Sequence, residues 1–386
     1  MNSDCNILIP DGSSTWAMSV VNCLSHINNY KLFILSDKQR TATKFSRYTS
    51  YYRYYKRTTD EAWIQILNTE IEANKISVIV PIAEEEIRFF IKYADKISTS
   101  AKLIPLPKAN SFETAIDKLK LSEFLKQQQL PHPKSGFFDS TQSSFEEQLQ
   151  AFELPILVKP LHDKGGDGIL KFASEKKFKR YLRHKTLFVQ EYISGYDIDC
   201  SVLCLNGEVL TYTIQKGNLL GHSPYAPQLG LEFLQNEAVI NVVKQLMAKL
   251  NWSGIAHIDL RYDQQANNYK VIEINARFWG SVEASKVAGT NFPQLVIEMA
   301  LGKSVSYQPY AHIKYLRFKG FLKSVKRQPS LLMNINFILN FTEAKSVLKD
   351  PLPTMYKFRE WLGRASYFKA FNIILMSQEL FNIGFV

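Results

Sequence analysis

The chain is poor in cysteine, with four in 386 residues: Cys5, Cys23, Cys200 and Cys204. No two are spaced Cys-x-x-Cys and no histidine cluster accompanies them, which argues against a zinc site. A disulfide framework suits small secreted domains rather than a chain of this length, so reduced, buried thiols are expected. No stretch reaches the ~18 uninterrupted apolar residues of a membrane-crossing helix. The opening Met-Asn-Ser-Asp-Cys has no basic segment of the secretory type. A cytoplasmic location without a transmembrane segment is therefore expected. The first strand-to-helix turn reads Asp11-Gly12-Ser13-Ser14 and not Gly-x-Gly-x-x-Gly. The dinucleotide fingerprint is missing, and a dehydrogenase reading is declined. No internal repeat is visible, and no serine or cysteine stands out as a nucleophile.

Acidic charge is also in short supply. Asp and Glu number 36 against 47 Lys and Arg, a net charge of +11, which favours an anionic partner. Two stretches are densest. Arg47 to Arg57 interleaves Arg and Lys with tyrosines, a pattern that would suit a binding surface for RNA. Lys176 to Lys185 reads as the solvated face of a helix. On balance no nucleic-acid partner is expected.

What is present is a 46% hydrophobic chain, enough for real cores, at a length that suggests two or three domains. Residues 1–110 alternate strand signals (Cys5 to Pro10, Tyr30 to Ser36, Ile76 to Pro81, Ala101 to Pro105) with helical ones (Thr15 to Ile27, Asp60 to Ala73, Glu84 to Ile97). This predicts an α/β unit with a doubly wound parallel sheet. Residues 111–305 read as α+β. A helix is expected over Thr114 to Gln128, a hairpin turn at Asn206-Gly207, helices over Val239 to Leu250 and Phe292 to Leu301, and a second hairpin from Gly254 to Arg277. Residues 306–386 are basic and apolar and read as a mostly helical extension. Leu331 to Phe341 and Phe371 to Val386 are each too short to span a bilayer. Packing on the main body is the first reading for them and membrane-surface contact the second.

Three features carry chemistry. In the second hairpin, alternation puts Ala256, Ile258, Leu260 and Tyr262 on one face with Ile272, Ile274 and Ala276. The other face carries His257, Asp259, Arg261, Glu273, Asn275 and Arg277. Asp259, Glu273 and Asn275 are hard oxygen donors suited to Mg²⁺, and Arg277 beside them could meet phosphate charge. A solvated face with charges of both signs is the competing reading. Second, Lys159 lies inside the apolar run Ile156 to Pro160, which is costly unless an anion pairs with it. Lys164-Gly-Gly-Asp-Gly168 follows, a turn whose amides can approach phosphate closely. The competing reading is a hairpin with a snorkelling lysine. Third, the apolar strand Leu187 to Tyr192 runs into a polar hinge at Ser194-Gly195, with Asp197 beyond. Such a hinge can present backbone groups to an adenine edge and an acid to ribose hydroxyls, or it can be a plain turn.

Taken together and in order, these segments resemble the ATP-grasp superfamily. The match runs over roughly residues 111 to 305: Asp117-Lys118, Val158-Lys159-Pro160, Gly165-Gly166-Asp167-Gly168, Val189 to Gly195, His257-Ile-Asp-Leu-Arg261 and Glu273 to Ser281. The ending Asn275-Ala-Arg-Phe-Trp-Gly-Ser281 is similar to the carbamoyl-phosphate-synthase-like branch, which includes D-aspartate ligase and other carboxylate–amine ligases. The resemblance implies an α/β N-terminal domain (1–110), an ATP-grasp domain (111–305, small lobe about 111–195, large lobe about 196–305) and a C-terminal extension (306–386). It implies ATP with Mg²⁺, or Mn²⁺, as cofactors. Lys118 and Lys159 would contact phosphates, and Gly165, Gly166 and Gly168 would close over them. Gln190, Glu191 and Ile193 would meet adenine, and Asp197 would stand where the family usually has a ribose-binding Glu. Asp259, Glu273 and Asn275 would hold the metal, with Arg277 on the transferred phosphoryl group. Lys216 is the candidate for a substrate carboxylate or acyl phosphate, with an exposed lysine beside a turn as the alternative. The activity implied is an ADP-forming carboxylate–amine ligase acting through an acyl phosphate. Its partners would be a small carboxylate, with an acidic amino acid favoured by the basic surplus, and an amine; a homodimer is left open. A phosphotransferase, a non-catalytic nucleotide-binding regulator and a basic RNA-binding protein remain as alternatives.

Overall fold

The computed structural model describes residues 4–139, 150, 152–160, 168–182, 186–221, 223 and 225–363. Three sheets follow one another along the chain. The first is parallel, with β1 (Cys5–Ile9), β2 (Tyr30–Ser36), β3 (Thr49–Tyr54), β4 (Val78–Ile79) and β5 (Lys102–Leu103) in the order β3-β2-β1-β4-β5. Alternation along β1 feeds two cores. Ile7 and Ile9 pack with α1 (Ala17–Leu24) on one face. Leu8 packs on the other with Trp63, Leu67 and Ile71 of α2 (Asp60–Ala73) and Phe89 and Phe90 of α3 (Glu84–Tyr93).

The basic, tyrosine-rich stretch is largely β3, an edge strand that sequence reading did not identify. Two of its cations are engaged within the unit. Arg53 pairs with Glu70 at 2.9 Å, and Arg57 pairs with Glu86 at 2.6 Å while lying 4.7 Å from the Phe89 ring centroid. Arginines over aromatic rings and against buried acids give these two a structural role.

The single helix expected over Thr114 to Gln128 is two helices, α4 (Ala109–Ile116) and α5 (Lys118–Gln127). Asp117 between them is extended, and its carboxylate accepts the amides of Leu119 (2.9 Å) and Lys120 (3.0 Å). An N-cap inside an apolar repeat restarts the helix and turns its axis. This delivers Lys118 to the first turn of α5.

The second sheet, of the small lobe, comprises β6 (Ser135–Asp139), β7 (Ile156–Lys159), β8 (Leu170–Phe172) and β9 (Thr186–Glu191), ordered β6-β9-β7-β8. α6 (Glu175–Leu182) closes its core through Phe178 and Leu182. The third sheet has six strands in the order β14-β13-β10-β11-β12-β15. They are β10 (Gly195–Leu205), β11 (Glu208–Leu219), β12 (Gly230–Phe233), β13 (Gly254–Asp263), β14 (Asn268–Asn275) and β15 (Lys314–Leu316). Asn206 and Gly207 both have positive φ (49° and 86°), as a two-residue hairpin turn needs. Ile198, Cys200, Ala256, Ile258 and Leu260 face α7 (Glu237–Leu250) and its Val239, Val243 and Met247. The opposite face is left for the site. All four cysteines are free and buried.

The basic extension is not a separate layer, because β15 adds to the edge of the third sheet. Helices α10 (Phe318–Arg327), α11 (Ile335–Asn340) and α12 (Ala344–Lys349) follow α8 (Val282–Ala288) and α9 (Phe292–Ala300). Phe371 to Val386 lie outside the described residues. No helix among those described is long and apolar enough to cross a membrane.

Glu283 on α8 ties the parts together, accepting from Asn22 of α1 (3.1 Å) and from Ser346 of α12 (3.0 Å). Burial, with Glu343 nearby, lifts its carboxyl from 4.5 to about 7. An acid whose folded pKa is raised is carried at no cost below its unfolded pKa and penalises folding as pH rises through that value towards the folded one. Wild-type stability should fall between about pH 4.5 and 7 by roughly 3 kcal/mol on this account. Glu283→Gln keeps an acceptor and should flatten that slope in thermal denaturation. An unchanged slope would place the penalty elsewhere.

Candidate functional site

The cleft face of the third sheet carries its polar residues in rows set by strand register. One row runs Asp197–Arg261–Lys270 across β10, β13 and β14. The next runs Gln215–Asp199–Asp259–Glu273 from β11 to β14, and the third Thr213–Ser201–His257–Asn275. Because side chains alternate along a strand, three acids from three strands meet in the middle row. Asp259 and Glu273, expected on one face, stand opposite each other across β13 and β14. One detail differs: the ladder shifts after Asp259, pairing Leu260 with Val271. The bulge leaves Ile272 without a cross-strand partner, so Val271 takes the core position expected of Ile272. Ile272 instead lines the cleft with Lys118, Lys159, Gln190, Phe188 and Glu273.

Electrostatics at the middle row are unfavourable as they stand. Burial, then Glu273 and Asp199, push the Asp259 carboxyl well above its ordinary value. Burial chiefly, with Asp197 and Glu273 adding, lifts Asp199 to about 7. Across the cleft Lys159 is 8% exposed, and burial, with Lys118 opposing it, depresses its pKa although Glu273 favours its charge. Lys118 donates to the Pro160 carbonyl at 2.7 Å. A cation at the acids and an anion at the lysines would relieve both strains. The carboxylates of Asp259 and Glu273 suit a hard divalent cation in kind, whereas Asn275 turns Nδ2 to Asp259 (3.4 Å) and gives Oδ1 to Arg277, so its oxygen would join them only after the amide rotates.

Arg277 continues the line towards the first sheet. It donates to Asn275 Oδ1 (2.6 Å) and to the Phe278 carbonyl (3.0 Å), lies 3.3 Å from Glu84 and stacks at 3.7 Å on Trp16. At the other end Arg261 organises the hinge. It donates to the carbonyls of Ile193 (2.7 Å) and Gly195 (3.0 Å) and pairs with Asp197. Asp197 is thus already engaged by a cation. Glu191 is paired with Lys270 at 2.6 Å, whereas Gln190 is buried and lines the cleft.

The structure does not bring Lys216 to these acids. It pairs with Ile198, whose side chain is in the core, so alternation sends it to the other face, where its Nζ sits 3.5 Å over the Tyr196 ring. Its neighbour Gln215 takes the site face instead, donating to Asp199 (3.1 Å) and Ser281 (2.9 Å). Lys216, the candidate for a substrate carboxylate or acyl phosphate, is thus one residue of register away from the face that carries the acids. Gly165 and Gly166 lie outside the described residues; Gly168, with φ 74°, turns the chain into β8. Sequence reading also missed Asp199, Ser201 and Gln215. The alternation Asp197-Ile-Asp199 in β10 was the available signal, but nothing in the sequence said that β10 pairs with β13.

Residues 183–320 match a family described as ATP-grasp in the biosynthetic pathway with Ter operon. The carbamoyl phosphate synthase large chain of Caldanaerobacter subterraneus subsp. tengcongensis is 24% identical over 227 residues, covering 55% of this chain and 20% of that protein. The D-aspartate ligase of Enterococcus faecium is 25% identical over 212 residues, 48% of this chain and 50% of that one. The match therefore spans between a fifth and a half of these relatives. Among solved structures, an L-amino acid ligase from Bacillus licheniformis superposes with a TM-score of 0.56 at 18% identity, covering 78% of this chain and 74% of that one, which is a likeness of fold.

Removing a buried, strained charge should not harm the free protein. Lys159→Met is expected to leave the melting temperature unchanged or raised, while affinity for a polyanion such as tripolyphosphate falls about tenfold or more. Calorimetry and titration on one preparation check both. A variant that melts early and still binds the anion would make Lys159 a structural residue.

Proposed function

The chain carries an ATP-grasp domain of the carbamoyl-phosphate-synthase-like branch, and from that premise we propose that it is an ADP-forming carboxylate–amine ligase. The observation that carries the reading is the row Asp199–Asp259–Glu273, with Asn275 and Arg277 beside it, across the cleft from Lys118 and Lys159. Acids on one wall and amines on the other suit a nucleotide triphosphate held with a divalent cation. Asp259, Glu273 and Asn275 would hold Mg²⁺ or Mn²⁺, which supplies charge to offset the phosphate oxygens. Lys118 and Lys159 bind those oxygens. Gln190 and the Ile193 backbone face the adenine, in a hinge that Arg261 holds.

A substrate carboxylate oxygen attacks the γ-phosphorus of ATP, the bond to the β–γ bridging oxygen breaks, and ADP leaves. Arg277 is fixed where charge builds on the phosphoryl oxygens, so its contribution needs little reorganisation. An uncharged amine then attacks the acyl carbon, an amide or peptide bond forms, and phosphate departs as the amine proton is lost. No serine or cysteine nucleophile is needed. The proposed acid and amine are small molecules of the amino-acid class, in keeping with the D-aspartate ligase and L-amino acid ligase relatives. A homodimer belongs to the same reading.

Hydroxylamine trapping separates this from a phosphotransferase. With ATP, Mg²⁺ and a panel of amino acids, ADP release should depend on the acid, and hydroxylamine should yield a hydroxamate. A stable phosphorylated product without hydroxamate would favour the phosphotransferase. Glu273→Gln should lower turnover by at least a hundredfold with the fold retained by circular dichroism. Near-normal turnover in that variant would reject the metal assignment.

A further inference from the structure

The middle and third rows contain more donors than the metal set just described. His257 is 8% exposed, and its ring is clamped. Nδ1 is 2.9 Å from Ser201 Oγ, itself fully buried, and the ring stacks on Trp279 at 5.3 Å with a 10° interplanar angle. That partner leaves Nε2 aimed at two acids, 3.4 Å from Asp259 Oδ1 and 3.9 Å from Asp199 Oδ2. Both distances exceed the roughly 2.7–3.2 Å of a hydrogen bond, and Nε2 makes none among the described residues. Two ligands each about 2.1 Å from one tetrahedral ion are about 3.4 Å apart. Atoms of all three groups lie within 4.8 Å of one another.

We propose that Asp199, His257 and Asp259 form a cation site of their own, taking a divalent ion that accepts nitrogen, such as Mn²⁺ or Zn²⁺, in preference to Mg²⁺. The two oxygens of Asp259 divide the labour. Oδ1 lies 3.4 Å from His257 Nε2, and Oδ2 lies 3.4 Å from Asn275 Nδ2. A single carboxylate therefore links the hard-oxygen set to a set with an imidazole. Mg²⁺ favours oxygen in near-octahedral geometry, whereas imidazole suits later divalent ions. The surroundings match those of a metal-binding histidine, whose second nitrogen is held by a hydrogen bond that fixes its tautomer and orientation. Asp199 is held likewise, by the Gln215 amide at 3.1 Å.

The test uses the full chain without nucleotide, so its outcome is independent of whether the ligase reading holds; ADP binding measured in parallel reports on that reading. Mn²⁺ titration followed by electron paramagnetic resonance should reveal a bound ion, and its pulsed spectrum should show ¹⁴N modulation from an imidazole. A tenfold excess of Mg²⁺ should not remove the modulation. His257→Gln should abolish it and weaken Mn²⁺ at least tenfold, whereas Asp199→Asn should weaken Mn²⁺ similarly and keep the modulation. An ion with oxygen ligands only, modulation that survives His257→Gln, or no Mn²⁺ bound without nucleotide would each overturn the proposal. Should His257→Gln not fold, the wild-type spectrum and Asp199→Asn decide it.

Discussion

The repulsion among three carboxylates on one face of a sheet is the constraint around which the structure is arranged. Asp199, Asp259 and Glu273 lie on adjacent strands in one row, and two of them are pushed well above the ordinary carboxyl range by burial and by one another. Such a row is expensive in the free protein, and a bound cation would offset that cost. The opposite wall has the complementary problem, a lysine buried within an apolar strand with a second lysine opposing it. Each wall is stable because its strand is anchored behind: β10 and β13 by α7, and β7 and β9 by α6. Strain at the site is thus carried by ordinary apolar packing in the two lobes.

Much of this was legible in sequence where a single period governs. Alternation along 255–262 and 269–277 separated most apolar from polar residues and put Asp259 and Glu273 on one face. Strand and helix signals in the first 110 residues fell close to their observed positions, because β-branched runs and amphipathic repeats are local. What failed was decided by tertiary context or by one-residue displacements. Asp117 broke a helix that looked continuous, since a capping carboxylate competes locally with an apolar repeat. The bulge at Ile272 exchanged it with Val271, and no periodicity announces a bulge. Lys216 and Gln215 differ by one position and point to opposite faces, and no local pattern said which of the two would share the face of the acids. β3 went unrecognised because its tyrosines and arginines obscured the alternation, and two arginines of that basic stretch proved to be paired with Glu70 and Glu86.

The rows also give the cleft a direction. At the hinge, Arg261 gathers Ile193, Gly195 and Asp197, so the backbone between the lobes is fixed by one guanidinium. Two residues on, the acids lie in the centre. Two residues further come His257 and Asn275, and then Arg277 against Trp16 and Glu84 of the first sheet's unit. On the ligase reading, adenine, phosphates and acceptor follow that order, and the reacting carboxylate belongs at the end where Arg277 meets the first unit. On that reading substrate choice would depend on the β1–α1 loop carrying Trp16, on the first residue of α3, Glu84, and on the segment from Arg277 to Ser281. The chain's basic surplus on that reading says little about the acid, because Arg277 at this end is already paired with Glu84. A carboxylate entering there has to compete with Glu84 for Arg277, and an ammonium has to compete with Arg277 for Glu84. A substrate carrying both groups, as an amino acid does, can replace the pair without leaving either charge unmatched.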